Sequence, residues 1–475
     1  AVGKVNECRE VMRKICAEKT TLDEVEVVYP SASSYADIFF LLAAKTDLQI
    51  TFSEGIGVGF TTPGKVFSGI LDWFEGGFKV SDLCRMIESG NLNLFHPGIK
   101  DVPSLQKISG YLKKAGIGWG KDRYISCLKD LINKTKKDFL QAQEKKEEKK
   151  LLRLETDLKN LKIVIPVIKK MLSFLPRFEE KDDKGIDFEA LCAGASSFIK
   201  NFSSIRSELD GMAYLSLYSA LDETAAMQPP HLIREEAVKR LRNQASRIKV
   251  GASKPKPGHL HLSTYKTGGY SGRENTFIVG LDQGSFPGSG LQQPLLLDDE
   301  KEKISPALQT AEESLLENIY SMAAMLAALR GRASLSYSSH DLQAERSSFP
   351  SSILLQAYRL LKGDSRLDYS ALHSYLAEPV GFLTKNTDRA LDDIDWWLAK
   401  IGGGKHFLNG LEAVQHTFPS LARGIFARQK REGNSISEFE GLLDFKTGKS
   451  HPIIFENMQV SASRFETLTF SSSKS

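Results

Sequence analysis

The residues best suited to chemistry lie near the end of the chain, in the string EFEGLLDFKTG at 438–448. Side chains two apart on a strand share a face, so Asp444 and Lys446 would point the same way. Such a carboxylate can hold Mg²⁺ while the lysine activates a water or stabilises developing charge, the chemistry of metal-assisted phosphodiester hydrolysis. The competing reading is a plain exposed strand with charge on one face. Other groupings fit their patterns less well. Gly448-Lys449-Ser450 is the only Gly-Lys-Ser/Thr in the chain, and Leu443 stands where a phosphate-binding loop needs its first glycine. The Gly55/Gly57/Gly59 run lacks GxGxxG spacing, and Glu54 beside it would repel an anion, so it reads as a tight turn. His259 and His261 flank Leu260 with no carboxylate or cysteine at ligand spacing, which argues for a strand-face or loop pair over a metal site.

These groups need a scaffold, and the chain organises one around residues 260–287, LHLSTYKTGGYSGRENTFIVGLDQGSFP. Residues 260–265 alternate as a half-buried strand does, and 276–281 form the apolar, β-branched run of a fully buried strand. Between them lies a loop of glycine and hydroxyl residues suited to phosphate. Upstream, Val5, Cys8, Val11, Met12, Ile15 and Cys16 recur at helical spacing. Residues 25–30 read as a buried strand, 35–44 as an apolar helix, 47–52 as a second strand and 61–74 as another helix. That order predicts a parallel sheet flanked by helices.

From 94 to 254 the pattern is helical: 128–139, then 151–174 with a kink or break expected at Pro166, then 188–221. Lys129, Lys134, Lys136 and Lys137 read as a solvated face before a phosphate contact. Downstream, 311–329 is rich in alanine and methionine on several sides, which predicts a deeply packed helix, and 333–337 follows as a strand. Trp396 and Trp397 sit in a short helix and are assigned to the core. The helix 411–431 ends in Arg423, Arg428, Lys430 and Arg431, a candidate contact for a DNA backbone.

At 475 residues the chain exceeds one core, and about three domains is the expectation. With 63 basic and 59 acidic residues the net charge is only +4, so any nucleic-acid surface must come from local clustering. Cys8, Cys16, Cys84, Cys127 and Cys192 show no paired spacing, which argues against a zinc site or disulfide framework and for a reducing compartment. No stretch approaches the roughly 18 apolar residues of a membrane span. A cytoplasmic protein with no membrane partner is expected.

Taken in series, FIVGLDQGSFP at 277–287, PLLLDD at 294–299 and ALRGRASLSY at 328–337 resemble the second RecA-like domain of UvrD/Rep-type superfamily 1 helicases. Within that group the chain is most similar to the B subunit of AddAB-type helicase–exonucleases, whose helicase half is degenerate. The segment 25–74 is similar to that family's first half, and Asp444-Phe445-Lys446-Thr447-Gly448 resembles the metal-ligand and lysine motif of RecB-type PD-(D/E)XK nucleases. However, residues 460–468, which resemble the start of that nuclease domain, come after the motif instead of before it. The resemblance implies DNA as partner (single-stranded or duplex ends), a helicase–nuclease partner subunit, and a role in DNA end processing and recombinational repair. It implies ATP and Mg²⁺ for the full protein or complex, and no cofactor in this chain.

The departures bear on mechanism. Active relatives carry T-x-H-x-x-K-G-L-E where this chain has residues 264–274, with no histidine near the start and the Lys-Gly-Leu-Glu core blurred. Thr264, Lys266 and Arg273 remain as DNA-backbone candidates. Ala327-Ala328 replaces the Thr-Arg whose arginine stabilises charge on a transferring phosphoryl group. Arg330 and Arg332 are the nearest nucleotide-binding candidates, offset by two and four residues. On a helix an offset of two turns a side chain by about 200°, and an offset of four moves it about 6 Å.

The expected architecture is therefore α/β. Residues 1–95 and 258–345 would form a RecA-like parallel-sheet domain, interrupted by a large helical insertion at 96–257. A mostly helical region at 346–434 would follow, then a linker and the start of a nuclease-like domain at 435–475. The chain reads as a fragment of a larger DNA-repair protein, a helicase-like, DNA-binding portion without its own ATPase. The alternatives are the motor half of an active helicase whose ATP-binding domain lies elsewhere, and a structural scaffold for a repair complex.

Overall fold

Val25-Glu26-Val27-Val28-Tyr29 is buried throughout and forms β1 (Val25–Tyr29), the middle strand of a five-stranded sheet. The structure is a computed structural model that describes residues 1–30, 32–94, 103–176, 185–226, 232–288, 290–342, 344–384, 386–402, 416, 418–433 and 439. Asp444 and Lys446 lie outside the described residues. By internal packing the chain divides into two units, Ala1–Thr384 with Asp388–Trp396, and Lys385–Thr387 with Trp397–Ser475.

The sheet belongs to the first unit and runs β2 (Ile50–Phe52), β5 (Leu260–Thr264), β1, β6 (Asn275–Ile278), β7 (Arg332–Leu335). Every neighbouring pair is parallel. Alternation along β1 sorts its side chains into two cores. Val25, Val27 and Tyr29, with Phe277 and Val279, join the core that includes α1 (Lys4–Ala17) and α2 (Ala32–Thr46). Val28 and Ile278 join the other, with Met322 and Met325 of α12 (Ala311–Ala328) and Leu354 and Leu355 of α13 (Ser352–Lys362). A parallel sheet covered on both faces is the α/β arrangement that the strand–helix order predicts.

Glu26 shares the face of Val28. Its carboxylate accepts from Ser263 Oγ (2.5 Å), the Gly269 amide (3.3 Å) and Ser271 Oγ. Two of those donors lie in the connection from β5 to β6, which passes over β1 without a helix. Parallel crossovers usually take a dozen or more residues. In this shorter one the Gly268-Gly269 segment lies buried between the sheet and α12, and glycine allows that close approach. A Cβ on Gly268 would stand 2.6 Å from Ser263 Oγ and 3.0 Å from Val28 Cγ2; one on Gly269, at φ +83°, would stand 2.8 Å from the Met325 carbonyl oxygen. The loop whose glycines and hydroxyls read as suited to phosphate is thus a strap whose Ser271 hydroxyl and Gly269 amide serve a buried carboxylate.

Between β2 and β5 the described residues form a short strand, a turn of 3-10 helix (Val58–Phe60), eight α-helices and a second short strand. The helices are α3 (Thr62–Glu75), α4 (Val80–Glu88), α5 (Leu105–Lys114), α6 (Arg123–Glu144), α7 (Glu148–Ser173), α8 (Phe188–Phe202), α9 (Glu208–Ala226) and α10 (Arg234–Arg247). Since α3 packs on α4, α8, α9 and α10, the helical unit begins at Thr62, ahead of residue 96. Its stem is an antiparallel pair, β3 (Ile56–Gly57) with β4 (Lys249–Val250), reinforced by Lys249 Nζ at 2.8 Å from Glu54. That stem is what the Gly55/Gly57/Gly59 run forms.

Three local expectations are corrected. α7 continues as one helix through Pro166, which lies on its exposed face, so the helix does not break there. The span 188–221 splits into α8 and α9. α12 is not deeply packed: only Met322 and Met325 are buried, while Leu316, Ile319 and Tyr320 face solvent.

The remaining elements are α11 (Asp298–Ile304), the hairpin β8 (His340–Asp341) and β9 (Arg346–Ser347), α14 (Tyr369–Tyr375), α15 (Asp393–Gly402) and α16 (Pro419–Arg431). In α15 neither Trp396 nor Trp397 is buried; Asp395 is, between Arg9 and Arg13 (3.1 Å) of α1. In the second unit, α16 buries no residue, and Phe439 meets its Phe426 ring at 5.9 Å. Among the described residues no helix is long and apolar enough to cross a membrane.

Candidate nucleic-acid interface at the carboxyl edge of the sheet

Open parallel sheets bind ligands beyond the carboxyl ends of their strands, where successive connections leave in opposite directions. β1 connects through α2 toward β2, and β6 connects through α12 toward β7, so that point lies at the ends of β1 and β6. It is filled from within. Glu7 of α1 is 1% exposed and accepts from the Gly280 amide (2.9 Å), the Tyr35 hydroxyl (2.8 Å) and Ser336 Oγ (2.5 Å). Burial holds its carboxyl above the ordinary value, and the three bonds oppose that rise. Burial and the adjacent Glu7 together push the Tyr35 phenol far up. A phosphate brought here would meet a carboxylate and find the Gly280 amide already engaged.

Beyond this plug the edge opens. A cleft of about 780 Å³ at the ends of β6 and β7 is lined by Lys4, Asp282, Gln283, Ser285, His340 and Arg346, among others. Asp282 shapes its floor by accepting from the Gly284 (3.1 Å) and Ser285 (3.0 Å) amides. The β8–β9 hairpin brings in His340 and Arg346. Lys4, His340 and Arg346 were not legible as site residues, since they come from separate segments; the Asp282-Gln283-Gly284 turn was the only local signal.

The sequence-predicted residues separate between the two edges of the sheet. Thr264 ends β5 at the carboxyl edge but is buried, with its hydroxyl 3.2 Å from that of Thr267. Lys266, two residues on, is half exposed and lies 3.4 Å from Glu317 of α12. Arg273 is at the amino edge and turned inward. Its Nη1 donates to the carbonyls of Leu22 (2.7 Å), Val25 (2.6 Å) and His259 (2.7 Å), and its Nη2 to that of Lys256 (3.3 Å). Burial pulls this guanidinium below its ordinary value.

Arg332 opens β7 at the same amino edge, near Glu18 (3.3 Å) and Asn275 (3.2 Å), and Arg330 is exposed in the turn before it. A strand of this length places that edge roughly 10 Å from the carboxyl edge. The structure therefore brings Thr264 and Lys266 to the open edge and sets Arg273, Arg330 and Arg332 apart from it. His261 meets Thr51 Oγ1 at 2.9 Å and His259 the Pro257 carbonyl at 2.8 Å, each in its own local contact. Among the described residues no group of three His, Cys, Asp or Glu is placed to hold a metal ion.

Neither a protein-family model nor a curated protein matches this chain.

Proposed function

We propose that this chain is a helicase-like, DNA-binding portion of a helicase–exonuclease subunit, acting in DNA end processing without ATP turnover of its own. The observation that carries the reading is Glu7. It occupies the position where an open α/β sheet takes an anionic ligand, while Lys4, His340 and Arg346 line the cleft at the ends of β6 and β7 and Lys266 follows the end of β5 on the same carboxyl edge. A RecA-like second domain interrupted by a helical insertion is in keeping with the sheet order and with helices α3 to α10 lying between β2 and β5. The sequence supports the lack of ATP turnover, since it contains no GxxxxGK[ST] loop.

DNA is the partner that fits a cation-bearing edge on a chain of small net charge, because phosphates draw affinity from local clusters. Mg²⁺ and ATP then belong to the full protein or complex, with a helicase–nuclease subunit as its partner. The test is twofold. Phosphate release from ATP, measured on the chain with single-stranded DNA, should stay at background. Binding of that DNA should weaken steeply with salt, and Lys266→Glu should reduce the slope of log affinity against log salt by about 0.7 for the lost contact. ATP turnover would overturn the silent-motor part, and an absence of DNA binding at low salt would overturn the whole.

A further inference from the structure

Among the described residues of the helical insertion, Trp119 carries the most exposed aromatic ring. Trp119 is 64% exposed, in the loop between α5 and α6. The loop is held firmly. Ile117 beneath it is fully buried, the Gly118 carbonyl accepts from the Val80 amide (2.9 Å), and the Gly120 amide donates to the Gly77 carbonyl (3.0 Å). The Arg123 guanidinium lies 5.3 Å from the centre of the indole, bracing it with a cation. A rigid, exposed indole is a plane for stacking, because little side-chain freedom is lost when a second ring settles on it.

A second feature begins five residues before it. Lys114 ends α5 and lines a groove of about 430 Å³ between α5 and α7, together with Lys107, Lys149 and Arg153. Lys107 and Lys114 are seven residues apart on one helix face, about 10 Å, and Lys149 and Arg153 are four apart, about 6 Å. Those spacings suit neighbouring phosphates on one strand. The acid in the groove, Asp157, accepts from the Tyr111 hydroxyl (2.7 Å), which in turn accepts from Asn160 Nδ2 (3.0 Å). Among the described residues none of the four cations forms an ion pair. Trp119 follows Lys114, the last residue of the α5 wall, by five residues along the chain.

We propose that the insertion carries a further binding site, for single-stranded DNA, in which a base stacks on Trp119 and Lys107, Lys114, Lys149 and Arg153 hold the phosphates that follow. An unpaired base is required because a stacking plane must reach a free base face, which the interior of a duplex hides. The site rests on the DNA-binding reading above and adds to it a second contact point, away from the sheet.

The test is fluorescence anisotropy of labelled oligo-dT on the full chain, across a range of salt. Trp119→Ala should weaken binding about tenfold or more at every salt, the effect of one lost stack, and leave the salt slope unchanged. The double variant Lys114→Glu/Arg153→Glu should lower the slope by about 1.4, or 0.7 for each contact. All of these side chains are exposed, and thermal unfolding should confirm that the variants fold as the parent does. Variants that bind oligo-dT as tightly as the parent would overturn this site and leave the proposed function standing. A parent that binds no oligo-dT even at low salt would overturn both. An equal loss on a blunt, fully paired hairpin would overturn the single-strand assignment.

Discussion

Arg273 separates a surface role from an internal one, and its replacement by lysine is the informative perturbation. Arg273 is 7% exposed, and its guanidinium serves four backbone carbonyls, three of them through one nitrogen at 2.6–2.7 Å. Those carbonyls close the start of β1 and the approach to β5, so the side chain ties two strands at the amino edge. A hydrogen bond from a charged donor contributes about 1.5–3 kcal/mol, and one nitrogen with two protons supplies about two such bonds at full strength. Arg273→Ala should therefore cost about 3–6 kcal/mol, which for a domain of ordinary stability is a large fraction of the total. Arg273→Lys keeps the charge but loses the planar fork, so about 2–3 kcal/mol should still be lost. Urea denaturation gives the stability, and anisotropy with single-stranded DNA at low temperature gives the binding. The expected pattern is a lower midpoint with an unchanged salt slope for the lysine variant. A variant within about 0.5 kcal/mol of the parent, yet weaker on DNA, would refute the internal role and restore Arg273 to the DNA surface.

The remaining predictions concern buried charge. Because burial raises the Glu7 pKa above its ordinary 4.5, the folded chain holds this proton more tightly than the unfolded one, so the carboxyl lowers stability as pH rises through that window. Glu7→Gln, which keeps an acceptor for the Gly280 amide, should gain on the parent as pH rises above the ordinary carboxyl value and then level off once the folded carboxyl has ionised; unfolding curves showing a pH-independent difference would rule this out. Asp395 is the anion shared by the buried Arg9 and Arg13, and Asp395→Ala should cost about 3–5 kcal/mol by leaving two buried cations unpaired. Replacing Arg9 and Arg13 by methionine in that background should return part of the loss, as read from the shift in midpoint.

The parallel α/β core was legible because its strands are short apolar runs bounded by turns. β1, β5 and β6 each stand where period and β-branching place them, although β5 is buried along its whole length and not half-buried as its alternation suggests, and α3 begins at the Thr61-Thr62-Pro63 signal. Thr61 caps that helix by accepting from the Gly64 amide at 3.2 Å. What escaped were features set by long-range partners. No local pattern says that Glu7 reaches Gly280 and Ser336, or that Asp395 rather than its neighbouring tryptophans is buried. Composition misled at α12, where alanine and methionine suggested burial on several sides while tertiary packing covers only one. The Gly268-Gly269 pair was read as a phosphate loop because glycine permits two quite different close approaches, one to a ligand and one to the chain's own β1 and α12. The separation of Arg273 and Arg332 from Lys266 follows from strand direction, which becomes visible only once the sheet is assembled.

The position of β1 also sets a schedule for the ribosome. Both of its sheet partners, β5 and β6, lie on the far side of the helical insertion, with Val27 opposite Leu262 and Phe277. At about 5–20 residues per second, the roughly 250 residues between the start of β1 and the start of β6 take about 12 to 50 seconds to synthesise. Through that interval a β-branched apolar strand has no neighbour on either side, which is the state most open to pairing with another nascent chain. The insertion is rich in local helix–helix contacts, so it should fold within the delay, and its β3–β4 stem should then deliver β5 beside β2 and β1 in register. A lesion deep in the insertion, such as loss of Trp73, would accordingly be felt first as aggregation of the sheet during synthesis.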